Sequence, residues 1–104
     1  LPLMKKNDWG RIINFGSKLA NTNIPMAGPY CASKLAVHSL TKTIALENEN
    51  NVTCNAMLPG IIDTSTNRKS MPNADFTKWV SVEKIAKKIE DIIISSKTGQ
   101  LVKI

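Results

Sequence analysis

Short apolar runs that end at glycine or proline alternate along the chain with longer amphipathic stretches. Residues 11–15 lie between two glycines, and residues 52–58 end at Pro59-Gly60. Continuous apolar runs of this length are typical of strands that are buried on both faces of a sheet. A third short strand is predicted at residues 100–104, because a Thr-Gly turn precedes it.

Two longer stretches repeat their apolar residues every three or four positions, which is the period of a helix. The first covers residues 29–47, where Val37, Leu40 and Ile44 predict a single buried stripe. The second begins after Ser81, and serine is a residue type that favours helix N-caps. Its predicted buried stripe consists of Val82, Ile85, Ala86, Ile89, Ile92 and Ile93.

The remaining segments are short or rich in turn-forming residues. Residues 1–9 predict the end of a further helix, whereas residues 18–29 and 61–80 predict irregular loops. Strands and helices therefore alternate, which favours a parallel α/β sheet with helices on both faces. Ligands of such sheets bind beyond the carboxyl ends of the strands, so residues 16–30 and 59–80 are expected to line one cleft.

Composition narrows the class of protein. With 104 residues, the chain is long enough for one domain with a modest core. Its net charge is +6, but the basic residues are scattered, which indicates a solvated surface rather than a nucleic-acid site. No apolar run approaches the roughly 18–20 residues that a membrane-spanning helix needs. We therefore expect a cytoplasmic location, with neither nucleic acid nor membrane as a partner.

The two cysteines and the single histidine lie in no spacing that predicts a metal or redox site. Cys31 and Cys54 are predicted to be small buried side chains in a reducing compartment, and no metal ligands are expected. His38 lies eight residues after Tyr30, which places it about 80° away around a helix. We therefore predict a structural or solvated role for this histidine.

Tyr30 and Lys34 are four residues apart at the start of the first long helix, so both side chains lie on one helix face. Phenols hold their proton too tightly for efficient acid–base catalysis at neutral pH, but a nearby ammonium group favours the phenolate. A positioned Tyr–Lys pair can thus transfer a proton to or from a carbonyl oxygen. The alternative is an ordinary surface pair, because Tyr-x-x-x-Lys is a short pattern.

Two strand ends favour the catalytic interpretation. Ser17 ends the first strand, where its hydroxyl can hydrogen-bond the same carbonyl oxygen. Pro59-Gly60 ends the second strand, and a glycine there lets the backbone approach a flat ligand closely. Because parallel strands end at one edge of the sheet, these features are expected to form one site with Tyr30 and Lys34.

Three segments together resemble the short-chain dehydrogenase/reductase family: Arg11-Ile-Ile-Asn-Phe-Gly-Ser17, Tyr30-Cys-Ala-Ser-Lys34 and Asn55-Ala-Met-Leu-Pro-Gly-Ile-Ile-Asp-Thr64. The resemblance covers nearly the whole chain. It implies a Rossmann-type, doubly wound parallel sheet and hydride transfer with NAD or NADP, with NADH favoured. It also implies three catalytic roles: Tyr30 as general acid/base, Lys34 as its activator, and Ser17 as the residue that orients the substrate carbonyl.

The same resemblance implies the residues that contact the cofactor. Tyr30 lies at the nicotinamide end, and Lys34 binds the nicotinamide ribose hydroxyls. The implied contacts of the nicotinamide ring are Pro59, Gly60 and Ile62. Thr64 is expected near its carboxamide or the pyrophosphate.

A narrower likeness concerns the substrate. Residues 63–79 are similar to the corresponding loop of dihydropteridine reductases, which reduce quinonoid dihydropterins with NADH. A pterin is therefore one expected substrate, and a 3-oxoacyl or sugar carbonyl is the alternative. Met71-Pro72 and Trp79 either belong to this recognition or anchor the loop.

The family's glycine-rich phosphate loop has no counterpart among the five glycines of the chain. We therefore expect residues 1–104 to be the C-terminal part of a single NAD(P)-binding domain, whose dinucleotide-binding half would precede Leu1. The resemblance implies a homodimer or homotetramer for the longer parent. A non-catalytic interaction or dimerisation module that keeps the fold is the alternative outside the enzyme class.

The isolated 104-residue chain is expected neither to bind NAD(P)H nor to catalyse reduction, because it has no glycine-rich turn before a helix to hold the pyrophosphate. Isothermal titration of the chain with NADH and with NADPH measures this directly. Micromolar binding of either dinucleotide would contradict the expectation.

Overall fold

A computed structural model describes residues 1–49 and 51–104, and it alternates strands with helices along the chain. The strands are β1 (Gly10–Phe15), β2 (Val52–Leu58) and β3 (Leu101–Lys103). The α-helices are α1 (Pro2–Lys6), α2 (Gly28–Glu47), α3 (Ser65–Ser70) and α4 (Val82–Ile94). Two short 3₁₀ helices cover Lys18–Asn21 and Phe76–Lys78.

The three strands form one parallel sheet in the order β1-β2-β3. Gly10 lies opposite Val52 and Phe15 opposite Met57, so β1 and β2 run side by side over their whole length. Every residue of β2 is buried, as expected of a central strand with helices on both faces. The prediction of a parallel α/β sheet is therefore confirmed.

One face of the sheet carries the apolar core. Met57 of β2 is fully buried against Ile85 and Ile92 of α4. The partly buried residues around them include Ile13, Ile89 and Val102. The stripe predicted for α4 is too wide, because Val82 is 51% exposed and Ile93 39% exposed. Only Ile85, Ile89 and Ile92 of the predicted stripe pack against the three-stranded sheet.

The opposite face packs against α2, and here the predicted stripe is wrong. Leu40 is 55% exposed, and Val37 and Ile44 are only half-buried. The buried residues of α2 are instead Cys31, His38, Thr41 and Ala45. Small and polar side chains suit this contact because β1 presents an amide to it: Asn14 Nδ2 donates to Thr41 Oγ1 at 3.0 Å.

The segment between β2 and α4 is more ordered than predicted. It contains the six-residue helix α3, whose N-cap Thr64 accepts a hydrogen bond from the Asn67 amide at 3.1 Å. Ile62 and Val80 pair as a parallel bridge at the base of this segment. The prediction of an irregular loop over residues 61–80 is wrong here, because a helix of six residues is too short to show a repeating apolar pattern in the sequence.

Within residues 1–49 and 51–104, no helix combines the length and apolar character needed to cross a bilayer. The same residues hold no group of three or more His, Cys, Asp or Glu side chains close enough to bind a metal ion. Cys31 and Cys54 are free and buried, as predicted.

Met57→Ala is expected to lower the free energy of unfolding by about 2–5 kcal/mol, because it leaves a cavity between β2 and α4. Urea denaturation of the 104-residue chain measures the change. Met26→Ala is the matched control, because Met26 is fully exposed and the same atoms are removed without a cavity. Equal effects of the two substitutions would contradict this account of the core.

Candidate active site

A cleft of about 300 Å³ lies at the carboxyl ends of β1 and β2. It brings together six of the seven residues predicted for the site: Ser17, Tyr30, Lys34, Pro59, Gly60 and Ile62. Thr64 is not in the lining, since it caps α3 beside the cleft. The lining also includes residues that the sequence did not single out for the site, among them Leu19 and Asn67.

Tyr30 and Lys34 project from the first two turns of α2 into this cleft. Pro29 lies in the first turn of α2, where its fixed φ suits a helix start, and Tyr30 follows it directly. The Lys34 ammonium is 6.0 Å from the centroid of the Tyr30 ring. It also donates a hydrogen bond of 3.1 Å to the carbonyl oxygen of Phe15, the last residue of β1. Lys34 is thus held between the tyrosine and the end of the strand.

Ser17 lies just beyond β1 and is only 4% exposed. Its hydroxyl oxygen accepts a hydrogen bond from the Leu19 amide at 3.1 Å, which makes it the N-cap of the Lys18–Asn21 helix. A serine hydroxyl can accept two hydrogen bonds and donate one. In the described part of the chain its hydrogen goes to no acceptor, so it can be donated to a ligand.

His38 is buried directly behind Ser17. Its Nε2 accepts a hydrogen bond from the Ser17 backbone N–H at 3.1 Å, and the side chain is 4% exposed. Burial lowers the pKa of His38, with further lowering by the ammonium groups of Lys34 and Lys42. The structure therefore decides for a structural rather than a solvated histidine. His38 lies four residues after Lys34, so both side chains lie on one side of the helix. This spacing is the feature of the sequence from which a position of His38 behind the site could have been predicted.

Gly16 provides the space that His38 occupies. A Cβ at residue 16 would collide with Nε2 and Cδ2 of the imidazole. The Gly16 amide also donates to the Met57 carbonyl at 2.8 Å, which extends the β1–β2 pairing by one residue. The glycine and the histidine are therefore sterically matched.

The floor of the cleft is the turn after β2. Lys18 N–H donates to the carbonyl oxygen of Pro59 at 3.2 Å, which joins this turn to the segment that follows β1. An added Cβ at Gly60 would meet no atom of the described residues within 4 Å. The open surface over Gly60 can accept a flat ring.

The loop beyond the cleft is braced by stacked side chains. Arg68 donates hydrogen bonds of 2.6 and 2.8 Å to the two carboxylate oxygens of Asp63, and its guanidinium lies 4.5 Å from the centroid of Phe76. Phe76 in turn packs against Trp79, with ring centroids 4.7 Å apart. Trp79 is therefore an anchor of the loop, whereas Met71 reaches the cleft.

The family model described as short chain dehydrogenase matches residues 1–75. The chain belongs to this family. The match covers β1, α2, β2, α3 and the segments between them, and it includes every residue that lines the cleft. The resemblance noted in the three sequence segments is thereby confirmed.

Relatives of known name support this assignment. The chain is 37% identical over 90 residues to D-beta-hydroxybutyrate dehydrogenase of Rhizobium meliloti, which covers 86% of this chain. It is 33% identical over 86 residues, or 80% of the chain, to dihydropteridine reductase of Dictyostelium discoideum. The solved structure of ElxO with NADP bound matches all of the chain with a TM-score of 0.86 and 28% identity. This structural likeness confirms the Rossmann-type fold.

The chain matches only part of the length of each of these proteins. The chain spans 35% and 37% of the two named relatives and 48% of the ElxO chain. The chain therefore corresponds to less than half of each of these three proteins.

Arg68→Gln is expected to return the pKa of Asp63 towards its ordinary value, because the Arg68 guanidinium holds that pKa down, chiefly by hydrogen bonding. A carboxylate with a depressed folded pKa stabilises the native state above its unfolded pKa, and this contribution is lost as the pH falls through the folded pKa. An NMR pH titration of the Asp63 carboxyl measures the shift. Lys69→Gln, at an exposed neighbour of Arg68, is the matched control and should leave the Asp63 titration unchanged.

Proposed function

We propose that this chain carries the acid–base half of an NAD(P)-dependent oxidoreductase site that reduces a small-molecule carbonyl or pterin. The observation that supports it is the meeting of Ser17, Tyr30 and Lys34 around one cleft whose floor is open at Gly60. The full site would belong to a single Rossmann-type domain, of which residues 1–104 are the C-terminal part.

Tyr30 is the proton donor in this proposal. Tyr30 is 48% exposed at the mouth of the cleft, where a substrate oxygen can reach its phenol. When the phenol gives its proton to that oxygen, the Lys34 ammonium stabilises the phenolate that remains. In the oxidative direction the phenolate takes the proton back.

Ser17 orients the substrate oxygen. The bond from the Leu19 amide fixes the serine oxygen, which leaves its hydrogen free to point into the cleft. A donor held in this way does not need to reorganise as negative charge develops on the oxygen. Ser17 and Tyr30 would thus hold the same oxygen from two sides.

The residues present fit a nicotinamide cofactor. The surface over Gly60 has room for a flat ring, and Pro59 and Ile62 give it an apolar border. The Lys34 ammonium could donate hydrogen bonds to ribose hydroxyls in place of its present bond to the Phe15 carbonyl. When bound, the cofactor supplies or accepts the hydride at the substrate carbon. ElxO was solved with NADP bound, and the preference of this chain for NADH stays a prediction.

Two substrate classes have support of different kinds. A quinonoid dihydropterin is favoured by the 33% identity to a dihydropteridine reductase. In the alternative of a 3-oxoacyl or sugar carbonyl, the 3-oxoacyl class is favoured by the 37% identity to D-beta-hydroxybutyrate dehydrogenase, because reduction of a 3-oxo group gives a 3-hydroxy group. Parallel assays of the complete polypeptide with NADH and each substrate separate the two.

A homodimer or homotetramer remains the proposed assembly.

Tyr30→Phe in the complete polypeptide is expected to lower kcat by about 10²- to 10⁴-fold while cofactor binding is retained, because only the transferable proton is lost. Lys34→Met should lower kcat as well, since it removes the ammonium that stabilises the phenolate. Lys84→Met, on the exposed surface of α4, is the matched control and should leave kcat close to the wild-type value.

Steady-state kinetics with the better of the two substrates measures these effects. Unchanged reduction by the Tyr30→Phe variant would remove Tyr30 from the mechanism. Absence of turnover by the unsubstituted complete polypeptide with both substrates would instead favour the alternative in which the fold serves as a non-catalytic interaction module.

A further inference from the structure

The Ser17 amide lies between two backbone bonds that run to the other strand. Gly16 N–H donates to the Met57 carbonyl and Lys18 N–H donates to the Pro59 carbonyl, at 2.8 and 3.2 Å. Successive N–H groups of an extended segment point in opposite directions. The Ser17 N–H therefore points away from β2, and within residues 1–49 and 51–104 no strand offers it an acceptor.

His38 supplies that acceptor from the buried face of α2. Its Nε2 is 3.1 Å from the Ser17 nitrogen. The imidazole can reach this position only because Gly16 has no Cβ. Its Nε2 must be unprotonated to accept, so the neutral ring carries its hydrogen on Nδ1.

We propose that His38 is a positioning residue, which fixes the Ser17 peptide through its Nε2 and so sets the direction in which the Ser17 hydroxyl meets the substrate oxygen. This inference rests on the proposed function of Ser17. With the Leu19 amide holding the hydroxyl oxygen and His38 holding the backbone, Ser17 is fixed at two points. Burial and the neighbouring lysines, which lower the pKa of His38, keep the ring in its accepting form.

A pair of substitutions separates this role from simple packing. His38→Leu keeps an apolar group of similar size but removes the acceptor, whereas His38→Gln offers an amide oxygen near the position of Nε2. In the complete polypeptide, His38→Leu is expected to lower kcat by about tenfold to a hundredfold through misplacement of the serine. His38→Gln is expected to restore most of the loss.

Thr41→Val is the structural control. Thr41 is fully buried one turn along the same face of α2 and bonds Asn14 rather than Ser17. It is expected to lower the midpoint of thermal unfolding while kcat stays near the wild-type value. A loss of kcat in Thr41→Val as large as that in His38→Leu would overturn a specific role for the histidine.

A double-mutant cycle with Ser17→Ala tests whether His38 acts through the serine. In the Ser17→Ala background, His38→Leu should cause no further loss of kcat. If Ser17→Ala lowers kcat but the His38→Leu loss is unchanged in that background, the positioning role is wrong while the proposed function stands. If Ser17→Ala leaves turnover unchanged, the proposed role of Ser17 fails first, and the positioning role fails with it.

A spectroscopic readout does not depend on turnover. In ¹⁵N NMR of the 104-residue chain, His38 Nε2 should be unprotonated and scalar-coupled to the Ser17 amide hydrogen. A protonated Nε2 at neutral pH, or an Nδ1 in the accepting role, would overturn the proposal even if the histidine variants are poorly folded.

Discussion

The parallel pairing of β1 with β2 is the constraint on which the rest of the molecule depends. Because the two strands run side by side from Gly10–Val52 to Phe15–Met57, they end together. The residues that follow the two strands therefore lie close together. These are Ser17 after β1 and Pro59-Gly60 after β2. The backbone bond from Lys18 to Pro59 carries the pairing beyond the strands and closes the floor of the cleft.

Helix α2 completes the cleft because it binds the sheet through small and polar side chains instead of a wide apolar stripe. The Asn14–Thr41 and Ser17–His38 hydrogen bonds join this helix to β1 and to the segment that follows β1. Tyr30 and Lys34 lie at the start of the same helix, beside the carboxyl edge of the sheet. The buried contacts on this face thus lie close to the cleft, whereas the Met57–Ile85–Ile92 core lies on the other face.

The order of the three strands and of the two long helices could be predicted from the sequence, because glycine, proline and apolar runs mark strand ends locally. Six of the seven residues predicted for the site line the cleft, since they lie just after those strand ends or at the start of α2. The buried face of α2 was not predictable from apolar period, since Leu40 is exposed and His38 and Thr41 are buried. Their burial depends on two hydrogen-bond donors that are distant in sequence, the Asn14 side chain of β1 and the Ser17 backbone N–H just beyond that strand. Helix α3 was missed for a similar reason, because its stability comes from the Thr64 cap and not from an apolar stripe.

In the proposed function, Ser17 and Tyr30 hold one substrate oxygen above the Gly60 floor. The most direct test is a crystal structure of the complete polypeptide with a nicotinamide cofactor and a carbonyl ligand. We expect the ligand oxygen within about 2.6–3.2 Å of both the Tyr30 and Ser17 hydroxyl oxygens, with the nicotinamide ring over Gly60. A carbonyl bound away from both hydroxyls, or a nicotinamide bound elsewhere, would contradict it.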